Sequence, residues 1–229
     1  MSYVVPHGAR MEVKFEADES RMHDILHWLR LHRCRFSEAY PMRRINNIYF
    51  DSPDYLAIAD NFSGTSSRTK VRVRWYGDEH DAVAGALELK RKRNGFGWKL
   101  RYDLKVPERQ HGTSWRAFRA EIASQLPSEG QHWLAISSQP TMLNVYRRRY
   151  YLSGDRRVRV TIDTDQKVWD QRVKPSFNLH HPANLPRLMI VEVKFDRRDR
   201  HLASQVVQGM PIRVSRHSKY LTAANAIRF

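Results

Sequence analysis

Six stretches of this chain alternate charged and apolar residues with a period of two, and that alternation constrains the fold more than any other feature. Successive side chains of a β-strand point to opposite faces, so residues two apart share a face. Arg10, Glu12, Lys14 and Glu16 fall together, with Met11, Val13 and Phe15 opposite. Arg68, Lys70, Arg72 and Arg74 oppose Val71, Val73 and Trp75. Glu88, Lys90 and Lys92 oppose Leu87 and Leu89, and Lys99, Arg101 and Asp103 oppose Trp98, Leu100, Tyr102 and Leu104. Arg157, Arg159, Thr161 and Asp163 oppose Val158, Val160 and Ile162, and Glu192 and Lys194 oppose Met189, Val191, Val193 and Phe195.

An antiparallel sheet with one face in water would also alternate. Solvated faces usually mix Thr, Ser, Gln and Lys, however, whereas these are dominated by Arg, Lys and Glu. The Arg68/Lys70/Arg72/Arg74 row sets like charges about 6.6 Å apart. Each neighbouring pair then costs about 0.6 kcal/mol in bulk water and roughly 2.5 kcal/mol at an effective dielectric of about 20. On an open surface the row is tolerable; inside a concave site it needs an anion. The pattern predicts an α+β fold in which a closed antiparallel β-barrel turns its charged side into a tunnel and its apolar side outward onto flanking helices.

The overall charge agrees. Lys and Arg number 40 against 24 Asp and Glu, a formal +16, which implies an anionic partner: nucleic acid, an anionic membrane surface or a phosphate-rich molecule. The 229 residues, 41% of them apolar, can form a sizeable core. No repeat or Pro/Gly/Ser-rich linker divides them, so one domain over residues 1–229 is expected. Apolar runs are short and Met1–Val13 lacks a secretory pattern, which predicts a cytoplasmic protein. The single cysteine, Cys34, excludes an internal disulfide, and no Cys/His group has zinc-ligand spacing.

Three helices are legible. Asp18 caps a stripe of Met22, Ile25, Leu26 and Leu29 running to about Arg33, and Thr113 caps one of Trp115, Phe118, Ile122 and Leu126. A short helix follows from about Ser218 to Ile227. Asn94–Gly95 signals a hairpin, and Phe50-Asp51-Ser52-Pro53-Asp54 reads as a strand end entering a turn or helix.

Glu-x-Lys occurs on three charged faces, at Glu12/Lys14, Glu88/Lys90 and Glu192/Lys194. Lysine and arginine can hold phosphate oxygens, and a carboxylate can hold the divalent cation that phosphoryl chemistry needs. Several other features have bland readings. Lys90–Arg93 is strand charge leading to a hairpin, although it could be a nuclear-localisation or nucleic-acid patch. Asn94-Gly-Phe-Gly97 lacks the Walker Lys-Ser/Thr, and His23 and His27 lack a third ligand. Cys34 reads as inert, Trp28, Trp115 and Trp133 as core, and only the middle residue of Arg147–Arg149 as directed inward.

These residues resemble the VTC (vacuolar transporter chaperone) polyphosphate polymerase domain of the triphosphate tunnel metalloenzyme (CYTH-like) superfamily. The matching segments are Arg10-Met-Glu-Val-Lys14, Asn47-Ile-Tyr-Phe-Asp-Ser-Pro-Asp54, Lys70-Val-Arg-Val-Arg-Trp-Tyr-Gly77, Leu87-Glu-Leu-Lys-Arg-Lys-Arg-Asn94, Val158-Arg-Val-Thr-Ile-Asp-Thr164, Val191-Glu-Val-Lys194 and His217-Ser-Lys-Tyr220. The resemblance implies an eight-stranded tunnel that binds ATP or another triphosphate and inorganic polyphosphate with Mn²⁺ or Mg²⁺, and transfers the γ-phosphate of ATP to a growing polyphosphate chain. It assigns Lys14, Arg72, Arg74, Lys90, Lys99 and Arg159 to phosphate contact, Arg148 and nearby Tyr146 to the long strand's basic site, and Ser218 and Lys219 to the C-terminal Ser-Lys. Of these, Lys14, Arg72, Arg74, Lys90, Arg148 and Lys219 are the catalytic candidates. Glu192 matches the metal carboxylate, with Glu12 and Glu88 as support, and Arg101 and Lys194 share the face. Where hydrolases of the superfamily have Glu-x-Glu-x-Lys, this chain has Arg10 first, which favours the VTC branch. The resemblance leaves room for a membrane-protein partner.

Positioning and charge neutralisation then suffice for catalysis, because a phosphate-chain acceptor is already a nucleophilic anion. The alternatives are a triphosphatase or tripolyphosphatase of the same fold, a non-catalytic polyphosphate-binding module, and a single-stranded nucleic-acid barrel. Nucleic acid is not expected, because stacking readout needs aromatics among the cations. Trp75, Trp98 and Tyr102 lie on the opposite face, and only Tyr76 shares it.

Overall fold

The structure is a computed structural model describing residues 10–77, 83–93, 96–108, 112–215 and 218–228. Nine strands form one antiparallel sheet: β1 (Arg10–Asp18), β2 (Ser37–Asp51), β3 (Ser67–Tyr76), β4 (Val83–Arg93), β5 (Phe96–Val106), β6 (Gln139–Leu152), β7 (Val158–Asp170), β8 (Leu188–Asp196) and β9 (Arg213–Ser215). Their order is β5-β4-β3-β2-β6-β7-β8-β1-β9. The sheet curls until β5 meets β1, and among the described residues the two strands pair at one position, Arg10 opposite Gly97. The ninth strand corrects the expectation of eight: β9 pairs with β1 over Lys14–Glu16, on an edge that β5 leaves open. The Asn94–Gly95 turn lies outside the described residues, but the strands it joins pair from Arg93↔Phe96 onward.

The apolar parity of β1, β3, β4, β7 and β8 packs beneath helices. Over β3 and β4, Val71, Val73, Trp75, Leu87 and Leu89 pack with Trp115, Phe118 and Ile122 of α3 (Trp115–Ser124) and Leu134 of α4 (Ser128–Ile136). Over β1, β7 and β8, Phe15, Val160, Ile162, Val191 and Val193 pack with Ile25 and Leu29 of α1 (Met22–Leu31) and Val206 of α5 (Arg200–Val207). Each such side chain contributes roughly 1.5–3 kcal/mol by leaving water. Burial of the apolar parity therefore dictates which way the charged parity must point.

Local chemistry sets the helix ends. Asp18 caps a short 3-10 turn, Glu19–Arg21, before α1, its carboxylate accepting from Ser20 N at 2.9 Å. Ser114 rather than Thr113 caps α3, because its Oγ reaches Ala117 N at 3.1 Å. Asp51, 1% exposed at the end of β2, accepts from Ala57 N and Ile58 N at 2.9 and 3.0 Å and so fixes α2 (Leu56–Phe62). Ser218 caps α6 (Lys219–Ala226) through Leu221 N at 3.4 Å.

Period-two reading fails at one place on β7. The β6–β7 register shifts between Val145 and Arg147, where Asp165 adopts φ 51. This bulge exchanges the faces: Asp163 lies with the charged parity before it, whereas Val168 faces the same side after it. Val168 joins Tyr49, Ile58, Met142, Tyr220, Ala223, Ala224 and Ile227 in an apolar cluster built from the inner sheet face, α2 and α6.

Candidate functional site

The charged parities of β1, β3, β4, β6, β7 and β8 meet on the concave side around two carboxylate-centred networks. In the first, Glu88 of β4 is wholly buried. Its Oε2 accepts from Arg72 Nε at 2.9 Å and Nη2 at 2.5 Å, and its Oε1 accepts from Lys99 Nζ at 2.8 Å. Arg74 and Arg101 approach to 3.8 and 4.0 Å. Burial alone would raise the Glu88 carboxyl, but Arg72, Arg74 and Lys99 outweigh it and hold the group far below the usual range. Neighbouring groups lock the guanidinium forks: Arg72 donates to Tyr49 Oη at 3.1 Å, and Arg74 to Asn47 Oδ1 at 2.8 Å and Tyr146 Oη at 3.1 Å.

The second network centres on Glu192 of β8 and Asp163 of β7. Arg148 Nε and Nη2 donate to the two oxygens of Asp163 at 2.5 and 2.6 Å, and Lys219 Nζ lies 2.7 Å from the same carboxylate. Glu192 takes Lys194 at 2.5 Å, Lys219 at 2.9 Å, Arg148 at 3.4 Å and Lys14 at 3.7 Å. Glu12 shares two of these cations, with Lys14 at 3.0 Å and Lys194 at 3.5 Å. Burial opposes ionisation of Glu192 and Asp163, yet the cations around each hold both low. Tyr146 joins the networks, since it receives Arg74 while the Arg148 and Lys219 cations sit 5.4 and 5.6 Å from its ring centre.

Cations outnumber carboxylates here. Against Glu12, Glu88, Asp163 and Glu192 stand Lys14, Arg72, Arg74, Lys99, Arg101, Arg148, Lys194 and Lys219, together with Lys70 and Lys90. Among the described residues, Lys70 and Lys90 form no ion pair; Lys70 Nζ instead lies 4.2 Å from the centre of the Tyr220 ring. Lys90 is exposed on the concave face, although protein surrounds its side chain. That enclosure lowers its ammonium to about 7, with Lys14 and Arg72 adding to the fall and Glu12 and Glu192, across the hollow, opposing it. Lys70 is likewise well below its ordinary value through burial, then Lys90 and Lys14. Crowded amines that no carboxylate neutralises favour an anionic ligand, whose arrival restores their charge.

The residues expected from sequence divide by position. Lys14, Arg72, Arg74, Lys90, Arg148, Lys194, Lys219 and Tyr146 come together with Glu12, Glu88 and Glu192. Lys99 and Arg101 stand at the rim, with side chains 51% and 40% exposed. Arg159 lies directly opposite Lys194 on the same sheet face, and the two line a recess with Arg156 and Arg157 that adjoins the Glu192 network through Lys194. The Ser218 hydroxyl is taken by the α6 cap. Asp163 was missed as a site residue although its parity places it beside Arg159 and Thr161. Tyr49, Asn47 and Lys70 were also missed as site residues. Arg148 alone of Arg147–Arg149 is buried. His23 and His27 are both exposed on α1.

For a divalent metal the three glutamates are unequal. Glu88 does not fit, because Arg72, which is buried, and Lys99, at the rim, already occupy its two oxygens. Glu12 fits best, since among the described residues it pairs with Lys14 and Lys194 alone; Glu192, on the adjacent strand, can share an oxygen with a metal while keeping Lys219 at 2.9 Å and Arg148 at 3.4 Å. Lys14 and Lys194 reach both of them, are each 23% exposed and can turn toward an arriving phosphate. Among the described residues no group of three or more acidic, His or Cys side chains forms a metal cage. Mg²⁺-like ions need no such cage, since they bind through one or two carboxylates, water and substrate phosphates.

Comparison with known proteins follows the same lines. HpAC1 from Hippeastrum, a proposed adenylyl cyclase with a dominant triphosphatase activity, superposes with TM-score 0.55 at 13% identity over 95% of each chain, and so shares the fold. PH1819 from Pyrococcus horikoshii OT3 gives 0.48 at 13% identity over 96% of this chain and 99% of its own. A proposed adenylate cyclase from Vibrio parahaemolyticus gives 0.48 at 8% identity over 93% and 96%. No curated protein matches the sequence. The family model of the VTC domain matches residues 6–228, and the chain belongs to the VTC domain family.

Proposed function

We propose that this chain is a metal-dependent phosphotransferase that binds ATP and polyphosphate in a closed basic tunnel and moves the γ-phosphate onto a growing polyphosphate chain. The observation that carries the reading is the enclosed surplus of cations, with Lys70 and Lys90 unpaired. The touch of β5 on β1 supports closure of the tunnel wall.

Arg72 and Arg74, already held by Tyr49, Asn47 and Tyr146, present guanidinium forks to phosphate oxygens without further ordering. Lys70 and Lys90 take up charge that no carboxylate balances. Arg148 and Lys219 neutralise the transferred group, and Asp163 keeps both in place. Lys14 and Lys194 exchange their carboxylates for phosphate and so open Glu12 and part of Glu192, which keeps Lys219 and Arg148. Those two carboxylates would hold Mg²⁺ or Mn²⁺, which supplies neutralisation at bridging phosphate oxygens. The acceptor is a terminal phosphate and needs no general base.

The dominant triphosphatase activity described for HpAC1 makes hydrolysis the second reading, with water as acceptor in the same site. Incubation with ATP and Mn²⁺ or Mg²⁺, resolving long-chain polyphosphate from free phosphate, separates them. Chains are expected. Free phosphate alone would make the protein a triphosphatase, and no turnover would remove the enzymatic reading.

A further inference from the structure

A second basic cleft lies on the outside of the molecule, away from the hollow. It has a volume of about 680 Å³ and runs between α3, the end of α4 and the segment after β7. Arg116, Arg119, Ala120 and Ala123 share one face of α3, because residues three, four and seven apart on a helix are neighbours. The two alanines leave room that the arginines border. Lys174 and Arg172 close the other side, and Ala135, Val173 and Pro175 give an accessible apolar wall. Among the described residues no carboxylate lines this cleft, and Arg116, Arg119 and Lys174 form no ion pair. Arg172 differs, since it is bound to Asp170 and donates to Ile227 O at 2.7 Å.

Arg119 is the informative member. It is half-buried, and its Nη2 is tied to Leu134 O at 2.8 Å. Its Nε has no hydrogen-bond partner, nor does the indole Nε1 of Trp115. A guanidinium stays charged when buried, so this one is fixed in place without a counter-ion. Burial lowers its proton affinity, with no carboxylate to oppose the effect. Charged and half-buried with two more unpaired cations alongside it, Arg119 lacks an anion. The apolar wall beside it favours an anion attached to a ring or hydrocarbon body over a bare ion.

We infer that this cleft binds a small organic phosphate, its phosphoryl group on Arg119, Arg116 and Lys174 and its apolar body against Ala135, Val173 and Pro175. Calorimetric titration with phenyl phosphate and with inorganic phosphate tests this on the whole chain. Phenyl phosphate should bind at least tenfold tighter than inorganic phosphate. Arg119→Gln combined with Lys174→Gln should weaken it at least tenfold. Ala120→Leu, which fills the cleft without altering charge, should do the same. Tripolyphosphate binding in the hollow should stay within twofold in all variants. Equal affinity for the two phosphates, or phenyl phosphate binding that survives both sets of substitutions, would overturn the assignment. Both outcomes are independent of whether the hollow polymerises or hydrolyses ATP.

Discussion

Asp163→Asn should weaken the fold and tighten anion binding at once. Asp163 is 2% exposed, receives both Arg148 donors within 2.6 Å, and has Lys219 at 2.7 Å. Asparagine keeps one acceptor but removes the charge and turns an amide N–H₂ toward a cation. Breaking a buried pair costs roughly 3–5 kcal/mol. Glu192 remains 3.4 Å from Arg148 and 2.9 Å from Lys219, so part of the compensation survives and a loss of about 3 kcal/mol is expected. For a bound phosphate the sign reverses. At a separation of about 6 Å and an effective dielectric of about 20, the Asp163 charge would repel each phosphate charge by roughly 2.8 kcal/mol. Water in the hollow reduces that, and a tenfold gain in affinity, about 1.4 kcal/mol, is a reasonable lower figure. Urea unfolding measures the first effect and calorimetric titration with tripolyphosphate the second. Unchanged stability, or weaker tripolyphosphate binding in a folded variant, would refute the idea that Asp163 is a counter-ion competing with the ligand.

Three further outcomes are expected. Lys90, at about 7, is mostly neutral at pH 8, and a bound anion raises it, so tripolyphosphate binding at pH 8 should take up roughly 0.9 proton through this group. Titration in buffers of different ionisation enthalpy reads that uptake, and its persistence in Lys90→Gln would assign the proton elsewhere. Glu192→Gln should abolish metal-dependent turnover while leaving tripolyphosphate affinity equal or higher, because it removes a carboxylate from among Lys194, Lys219, Arg148 and Lys14; full turnover in that variant would release Glu192 from its role. Glu88, Asp163 and Glu192 are all held below their ordinary values. Their stabilisation is therefore complete above the usual carboxylate range of about 4 and lost as pH falls below it. Urea unfolding between pH 7 and pH 3 should show that fall, and a flat profile would contradict the low carboxyl values.

Much of the sheet is legible because strand alternation is local. Lys14, Arg72, Arg74, Lys90 and Glu192 could be placed on one face by parity, and burial of Phe15, Val73, Leu89 and Val193 enforces that face in the structure. Parity carries no information about which strands are neighbours, so the meeting of Arg10 with Gly97 and the added β9 were hidden. It also breaks at the Asp165 bulge, where one extra residue exchanges the faces. The short α2 and α4 gave no clear periodic stripe and depend on what they pack against, whereas α5 carries a Leu202/Val206 pair that the strand-centred reading passed over. Asp163 stood in plain view on the charged face, but only coordinates bring Arg148 from β6 and Lys219 from α6 to its two oxygens. The four-cation row looked costly for lack of an anion, and Glu88 on the neighbouring strand balances Arg72 and Arg74 but not Lys70.

The central claim is that the cation-bearing faces receive a triphosphate inside the curled sheet. A crystal structure of the chain with tripolyphosphate tests it directly. Phosphate density is expected between the Glu88 and Glu192 networks, within hydrogen-bond distance of Arg72, Arg74, Arg148 and Lys219. Tripolyphosphate bound only on the outer basic surface, with the hollow free of phosphate density, would contradict it.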